Sequence, residues 1–529
     1  MKLQPRASHY ALIMACLCLI VSNYQAACAQ FPEDFAWGAS TSAYQIEGAW
    51  NISGKGLSWC DWWNLYADLP ENQTGNVAVD FYHRFREDIN LMKKIGLKNF
   101  RMSISWARIL PNGTTDYVNP EGVEFYNNVF DALKEAGIEP WVTLYHGDLP
   151  QALNWPNATG SWLNPEMPKI FAAYAEFCFK NFGDRVKNWI TVNEPAIIAW
   201  FGYGGGNSVP LRCSPSYNDQ CAKVGGGGNS STEPYLVTKN IILSHAQVVQ
   251  TYRNKYKAIQ GGQVGYTLNI DHALPWNVSD PNDVAAVDTY LQFSAGWYIS
   301  PVVYGEYPKI MQEYITGGRL PAFNESEVEL IKGAYDFIGI NHYTTVYAQY
   351  TGKVGSDYMN DSRVATTVTD INGDIIGPQG ESDWLYSYPP GIRGISNWIS
   401  KNYGNPPLVV LENGFDVKGE SALPVVKAIA DTKRIDYLNG YIDNVVAAVV
   451  EDGVNMKGYF VWAWMDNFEW GSFYPRFGLV YVDYDHNMTR IPKASALFYI
   501  EKTKKIGQWA RGKGSYPSLG FESKHLIQY

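Results

Sequence analysis

Two glutamates stand where a charge is costly. Glu412 closes the run Leu408-Val-Val-Leu-Glu-Asn-Gly-Phe415, and Glu194 closes Trp189-Ile-Thr-Val-Asn-Glu-Pro195. Each carboxyl follows apolar and β-branched residues of the kind that form a strand buried on both faces. A charge there is strongly unfavourable unless it is paired. Taken singly, either glutamate also reads as a strand-end residue leaning out to solvent. As a facing pair they have a chemistry: one carboxyl donates a proton while the other attacks or activates water. Their meeting depends on the elements around them.

Eight short apolar runs begin near residues 35, 99, 139, 187, 263, 336, 408 and 458. Helical patterns separate them. In 81–96, Phe81, Phe85, Ile89 and Met92 share one face and Gly96 stops the helix. Further helices are expected over 120–136, 168–182, 233–256, 392–401, 432–451 and 493–505. Residues 51–80 read as an irregular Trp-rich loop and 202–232 as a Gly-rich loop. Residues 344–390 read as a long polar insertion with a hairpin near Asp370-Ile-Asn-Gly-Asp-Ile375. No linker divides the chain. Eight strand–helix units predict an α/β fold: a single-domain (β/α)8 TIM barrel with enlarged βα loops. A doubly wound open sheet is the competing topology, and the first βα turn lacks the Gly-rich dinucleotide fingerprint that would favour it.

In such a barrel the strand ends form the active-site rim. They carry Gln45, Arg101, His146, Asn193 with Glu194, Asn341 with Tyr343, Glu412, and Trp462 with Glu469. The two carboxyls then lie three strands apart in a polar and aromatic ring. That equipment suits sugar hydrolysis, in which carboxyls cleave the acetal, amides and imidazoles hold hydroxyls, and Trp faces hold the ring. Singly, Arg101 could be an ordinary buried ion-pair residue and His146 a satisfied core histidine. Trp63 and Trp155 read as packing or loop residues.

The whole chain agrees. It has 529 residues, 15% of them aromatic, with 19 Trp and 37 Tyr, enough to fill a core and still face sugars. A net charge of −10 excludes a nucleic-acid partner, because phosphates would find no neutralising surface. Residues 1–29 read as a secretory signal peptide, with Arg6 before an apolar stretch over 11–21 and Ala27-Cys28-Ala29 as the cleavage site. Residues 30–529 would form the catalytic domain. No later run is apolar enough to cross a bilayer, and the last residues are no ER-retention signal. The expected location is secreted or within the secretory pathway: extracellular, cell wall or vacuole. Nine sequons fit that route: Asn51, Asn72, Asn112, Asn157, Asn229, Asn277, Asn324, Asn360 and Asn487. Cys213 and Cys221 flank a polar loop and are expected to form a disulfide, leaving Cys60 and Cys178 as free thiols. No Cys/His cluster has metal-ligand spacing, and neither a metal nor a cofactor is expected.

At these residues the chain resembles glycoside hydrolase family 1, the β-glucosidase family, and its plant-type branch most. Phe35-Ala-Trp-Gly-Ala-Ser-Thr-Ser-Ala-Tyr-Gln-Ile-Glu-Gly48, Thr191-Val-Asn-Glu-Pro195, Glu412-Asn-Gly414, and Asp466-Asn-Phe-Glu-Trp470 with Arg476-Phe-Gly-Leu-Val-Tyr-Val-Asp483 carry the resemblance in order. It implies a retaining β-glucosidase acting on small-molecule or oligosaccharide β-glycosides. Glu412 would be the nucleophile and Glu194 the acid/base, about 5–5.5 Å apart. Arg101 and Tyr343 would keep Glu412 ionised, and the charge of Glu412 would keep Glu194 protonated. Gln45, His146, Asn193, Asn341 and Glu469 would bind hydroxyls, and Trp384, Trp462, Trp470 and Phe477 would line the pocket. Alternatives are a transglycosidase, a β-glycosidase of a modified glycone (galactoside or fucoside), and a carbohydrate-binding protein without turnover.

Three positions depart from the family pattern. Gly147 stands where the family usually has Trp, and Trp464 where it has a smaller aliphatic residue. Trp464, two residues beyond Trp462, is expected to refill the space at Gly147. Leu411 replaces a hydroxyl residue before Glu412, which predicts a lost supporting hydrogen bond. Glu469 is expected to repel a 6-phosphate.

Overall fold

A computed structural model describes residues 31–70, 73–153, 161–223, 227–513 and 515–516. The expected signal peptide, Trp155 and the sequons at Asn72 and Asn157 lie outside the described residues. Eight parallel strands close into a barrel: β1 (Ala36–Ser40), β2 (Asn99–Ser103), β3 (Glu139–Tyr145), β4 (Asn188–Asn193), β5 (Gln263–Asn269), β6 (Phe337–Asn341), β7 (Leu408–Asn413) and β8 (Met456–Trp462). Each pairs with its neighbour in sequence, and β8 closes on β1 in the register Ala36↔Gly458 to Ser40↔Trp462. The eight expected strands are all present, each starting within two residues of its expected position.

The helices that cover the barrel form for the reasons their sequences state. Helix α1 (Phe81–Ile95) buries Phe81, Ile89 and Met92 and ends at Gly96, whose φ of 105° is left-handed. Helix α2 (Pro120–Ala136) starts with Pro at its first turn and ends at Gly137. The others are α3 (Met167–Phe182), α4 (Glu233–Lys255), α5 (Pro390–Tyr403), α6 (Thr432–Val450) and α7 (Ala494–Ala510). Between barrel and helices lies one continuous apolar core.

Residues 51–80 are more ordered than their composition predicts. Trp59–Tyr66 is a helix with a capping box, Ser58 and Asp61 each bonding the other's backbone N–H. The 344–390 insertion is built round a small sheet of His272–Pro275, Thr345–Tyr350 and Val364–Thr367. The expected hairpin is present as a turn: the Asp370 N–H donates to the Asp374 carbonyl and Thr369 bridges Ile375. Cys213 and Cys221 are disulfide-bonded; Cys60 and Cys178 are free.

The barrel is a plugged cylinder. Trp141 of β3 packs edge-on to Phe337 of β6 and Phe460 of β8, with centroids 5.6 and 5.1 Å away. Ala36, Ile190, Val409 and Leu411 complete this inner cluster, separate from the outer core. Leu411 reaches across so far that a side chain on Gly339 would overlap its Cδ1 at 2.6 Å. Polar groups are thereby left to the C-terminal strand ends.

Outside that end, a buried ionic network ties the segment after β7 to the segment after β8. Arg434 pairs with Glu420 and Asp431 and donates to the Phe415 carbonyl. Lys493 bridges Glu420 at 2.5 Å and Asp466 at 2.8 Å, and Arg476 takes the other Asp466 oxygen at 2.6 Å. Burial alone would raise the Asp466 pKa, but the charges of Lys493, Arg476 and Arg434 hold it below the ordinary value. Removing one partner from such a network strands a buried charge, so Lys493→Met should lower unfolding free energy by about 3–5 kcal/mol. The midpoint of chemical denaturation measures this; a loss below about 1 kcal/mol would contradict it.

Candidate active site

The site begins with one guanidinium. Arg101, on β2 and fully buried, donates Nη1 to Glu412 Oε1 at 2.5 Å and Nη2 to Asn193 Oδ1 at 2.7 Å. Its Nε donates to Thr143 Oγ1 on β3 at 3.1 Å, and Nη1 also reaches the Leu411 carbonyl at 3.3 Å. The second oxygen of Glu412 accepts from the Tyr343 hydroxyl at 2.6 Å. Burial first, then the charges of Glu412 and Glu194, push the Tyr343 phenol well above its ordinary range, so it stays protonated and donates.

Arg101 has only donors, and this orients the amides. Asn193 must turn its Oδ1 toward Arg101, so its Nδ2 faces His146 Nε2 at 3.2 Å. Burial, then the Arg101 charge, pushes His146 well below its ordinary pKa, so the ring is neutral. An Asn Nδ2 can only donate, so Nε2 accepts and the proton sits on Nδ1. That nitrogen has no partner among the described residues. Asn341 is oriented likewise: its Oδ1 accepts from Thr267 at 2.9 Å, and its Nδ2 donates to Asn193 Oδ1 at 3.1 Å and Glu194 Oε1 at 2.8 Å. A hydrogen-bond chain therefore runs from Glu194 through Asn341, Asn193 and Arg101 to Glu412.

Glu194 is held differently from Glu412. Its backbone is left-handed, φ 48° and ψ 59°, an uncommon conformation for a residue with a side chain. The N–H that fixes it donates to the Thr267 carbonyl at 2.9 Å. Burial first, and then the Glu412 charge, raises its pKa to about 8. The sequence pointed to the Glu412 charge alone; loss of water is the larger cause.

Glu469 is buried under its own donors. Gln45 Nε2 reaches Oε2 at 3.0 Å and Trp462 Nε1 reaches Oε1 at 3.1 Å. Ser42 and Asn467 fix Gln45, the first donating to its Oε1 and the second accepting from its Nε2. Burial pushes Glu469 up to about 8, with Asp416 and Glu412 adding to the rise. Near neutral pH its carboxyl is then largely uncharged, which weakens the expected repulsion of a 6-phosphate. Trp462 and Trp470 stack on His146 at 5.9 and 6.2 Å. Trp384 and Phe477 stand edge-on to Tyr343 at 5.6 and 6.0 Å. Trp384 is half-exposed at the outer edge of the group. All the strand-end residues named from sequence thus join one connected cluster.

One expectation needs correction. The ring over Gly147 is Trp470, not Trp464: the three atoms nearest a Cβ on Gly147 are all from the Trp470 indole, the closest at 3.2 Å. β8 ends at Trp462, so strand alternation does not govern Trp464, which is buried in the outer core. Leu411 offers Glu412 no hydroxyl. Its side chain belongs to the inner cluster, and its carbonyl accepts from the Ser40 hydroxyl at 2.6 Å. Sequence reasoning missed Thr143, Thr267, Ser42, Asn467 and Asp271. Asp271, just past β5, adds to the raised pKa of Glu194. Applying the strand-end rule to β5, where no residue was named, would have found Thr267 and Asp271.

Comparison with known proteins agrees with the barrel. Residues 27–508 match the sequence model for glycosyl hydrolase family 1. The chain is 43% identical over 492 residues to β-glucosidase 40 of Arabidopsis thaliana, covering 92% of this chain and 93% of the relative. It is 42% identical over 497 residues to raucaffricine-O-β-D-glucosidase of Rauvolfia serpentina, covering 90% and 91%. A solved rice β-glucosidase variant, in a covalent complex with Glc, superposes with a TM-score of 0.84 at 41% identity, covering 89% and 98%. The chain belongs to glycoside hydrolase family 1, and it is a glycoside hydrolase.

The Tyr343 bond to Glu412 is a hydrogen bond to a charge, a class that contributes about 1.5–3 kcal/mol. Tyr343→Phe should therefore lower kcat/KM on a β-glycoside by about 10- to 100-fold, measured by initial rates with folding checked by circular dichroism. A change under about threefold would show that Arg101 alone holds Glu412.

Proposed function

We propose that the enzyme is a retaining β-glucosidase that releases terminal non-reducing β-D-glucosyl residues by double displacement. One observation carries the reading: the two carboxyls have opposite surroundings. Glu412 accepts on both carboxyl oxygens, from the Arg101 guanidinium and the Tyr343 hydroxyl. Glu194, with its pKa raised to about 8, carries a proton at neutral pH.

In the first step Glu412 attacks the anomeric carbon and the bond to the leaving oxygen breaks. Glu194 gives that oxygen its proton, so the aglycone leaves as a neutral alcohol and the sugar remains as an ester on Glu412. Glu194, now a carboxylate, takes a proton from water in the second step. The water oxygen bonds to the anomeric carbon, the ester breaks, and both carboxyls return to their starting states. Two inversions retain configuration. His146 Nδ1–H, Asn193, Gln45, Asn341 and Glu469 would hold the glycone hydroxyls, and Trp462, Trp470 and Phe477 would bound its ring. Trp384 would stand at the aglycone entrance. The names of the relatives and the covalent sugar complex of the rice enzyme support this assignment. No step calls for a metal or cofactor.

The reading includes a route through the secretory pathway. Exposed sequons at Asn51, Asn112, Asn229, Asn324, Asn360 and Asn487, and the Cys213–Cys221 disulfide, support it.

The wild type should hydrolyse an aryl β-D-glucoside and release β-glucose first, as followed by proton NMR before mutarotation. Glu412→Gln should lose about 10⁴-fold or more in kcat. Inversion at the anomeric carbon, or a Glu412→Gln variant of near-normal rate, would overturn the mechanism. The acid form of Glu194 is the active one, so the basic limb of kcat/KM should fall as pH rises through about 8. A basic limb at the ordinary carboxyl pKa would contradict this.

A further inference from the structure

Trp470 is a half-exposed ring beside the buried Trp462. It is 51% exposed, whereas Trp462 on the same side is 4% exposed. Two rings lie nearly parallel to it: Tyr44 at 5.9 Å and 17°, and His146 at 6.2 Å and 11°. Tyr44 is itself pinned, its hydroxyl accepting from Asn64 at 2.8 Å. Trp470 sits in a tight turn in which the Glu469 N–H donates to the Ser472 carbonyl, with φ of 48° at Trp470 and 130° at Gly471. The far edge of its six-membered ring points at Gly147, with Cη2, Cζ3 and Cζ2 at 3.2, 3.7 and 4.0 Å from where a Cβ would be. Gly147 has φ 87° and directly follows His146. A methyl group there would make the ring give by a few tenths of an ångström, because 3.2 Å is tighter than nine in ten real Cβ contacts.

We propose that Gly147 is a specificity-determining residue. By carrying no side chain, it lets Trp470 lean back against the end of β3 and widens the glycone end of the cleft. The substrate class is then β-glucosides whose glycone carries one further small substituent, such as an O-acetyl group. This rests on the β-glucosidase reading and extends it. Any side chain at position 147 meets the indole edge. Trp470 is packed against Tyr44 and His146 and is half-exposed, so a ring pushed by a side chain at 147 yields toward its exposed side, over the cleft. Position 147 therefore acts on cleft width through Trp470.

The test is a panel of aryl β-glucosides acetylated singly at each glycone hydroxyl, with the parent glucoside as reference. The wild type should turn over at least one acetylated member with kcat/KM within about tenfold of the parent. In Gly147→Ala that ratio should fall by about tenfold, and further in Gly147→Leu. In Gly147→Ala/Trp470→Ala the ratio should return to the wild-type value or above. General damage at His146 would lower both substrates together and would not be rescued. Trp470→Ala alone should keep or raise the ratio. The proposal is overturned if the wild type rejects every acetylated member by more than about 100-fold. It is equally overturned if Gly147→Ala lowers parent and acetylated rates in proportion. No turnover of the parent glucoside by the wild type would instead defeat the β-glucosidase reading on which the proposal stands.

Discussion

Everything in the cleft depends on one buried cation. Arg101 lies inside the barrel with no exposure, and its three nitrogens are satisfied by β3, β4 and β7. A guanidinium cannot shed its charge, so it must be matched, and Glu412 at 2.5 Å is the match. Removing either partner would leave the other buried and alone. The same guanidinium thus links β2 to β3, β4 and β7 and keeps the Glu412 carboxyl in place.

The constraint spreads through hydrogen-bond polarity. A group with only donors forces Asn193 to present its oxygen, which sends its nitrogen to His146 and the imidazole proton to Nδ1. Asn341 receives its orientation from Thr267 and passes a donor to Glu194. Glu194 lies on the far side of this chain, where burial first and then the Glu412 charge raise its pKa. Of the two carboxyls, Glu412 alone pairs directly with Arg101, while Glu194 reaches it only through Asn341 and Asn193.

Much of this was legible in the sequence because its signals are local. Apolar runs ending in Asn-Glu or Glu-Asn-Gly mark strand ends, helical periodicity separates them, and the barrel turns eight such ends toward one space. The helix at Trp59–Tyr66 carried a local signal too, the Ser58 and Asp61 cap, but its aromatic composition masked it. What stayed hidden were contacts between residues far apart in the chain. Thr143, Thr267 and Ser40 look like ordinary strand residues, and their roles exist only once Arg101, Asn341 and Leu411 lie across from them. The neighbour of Gly147 could not be read from spacing, because beyond β8 the chain leaves the strand and a turn, not alternation, delivers Trp470.

The central claim is that Arg101 and Tyr343 prepare Glu412 to become a covalent intermediate. A 2-deoxy-2-fluoro-β-glucoside with a good leaving group slows both steps by destabilising the oxocarbenium-like transition state, and the ester accumulates. Intact-mass and peptide mass spectrometry of the treated enzyme should find one fluoroglucosyl group, on the peptide containing Glu412 and on that side chain. Label on Glu194 or elsewhere, or turnover of the parent glucoside with no trappable adduct, would contradict the account.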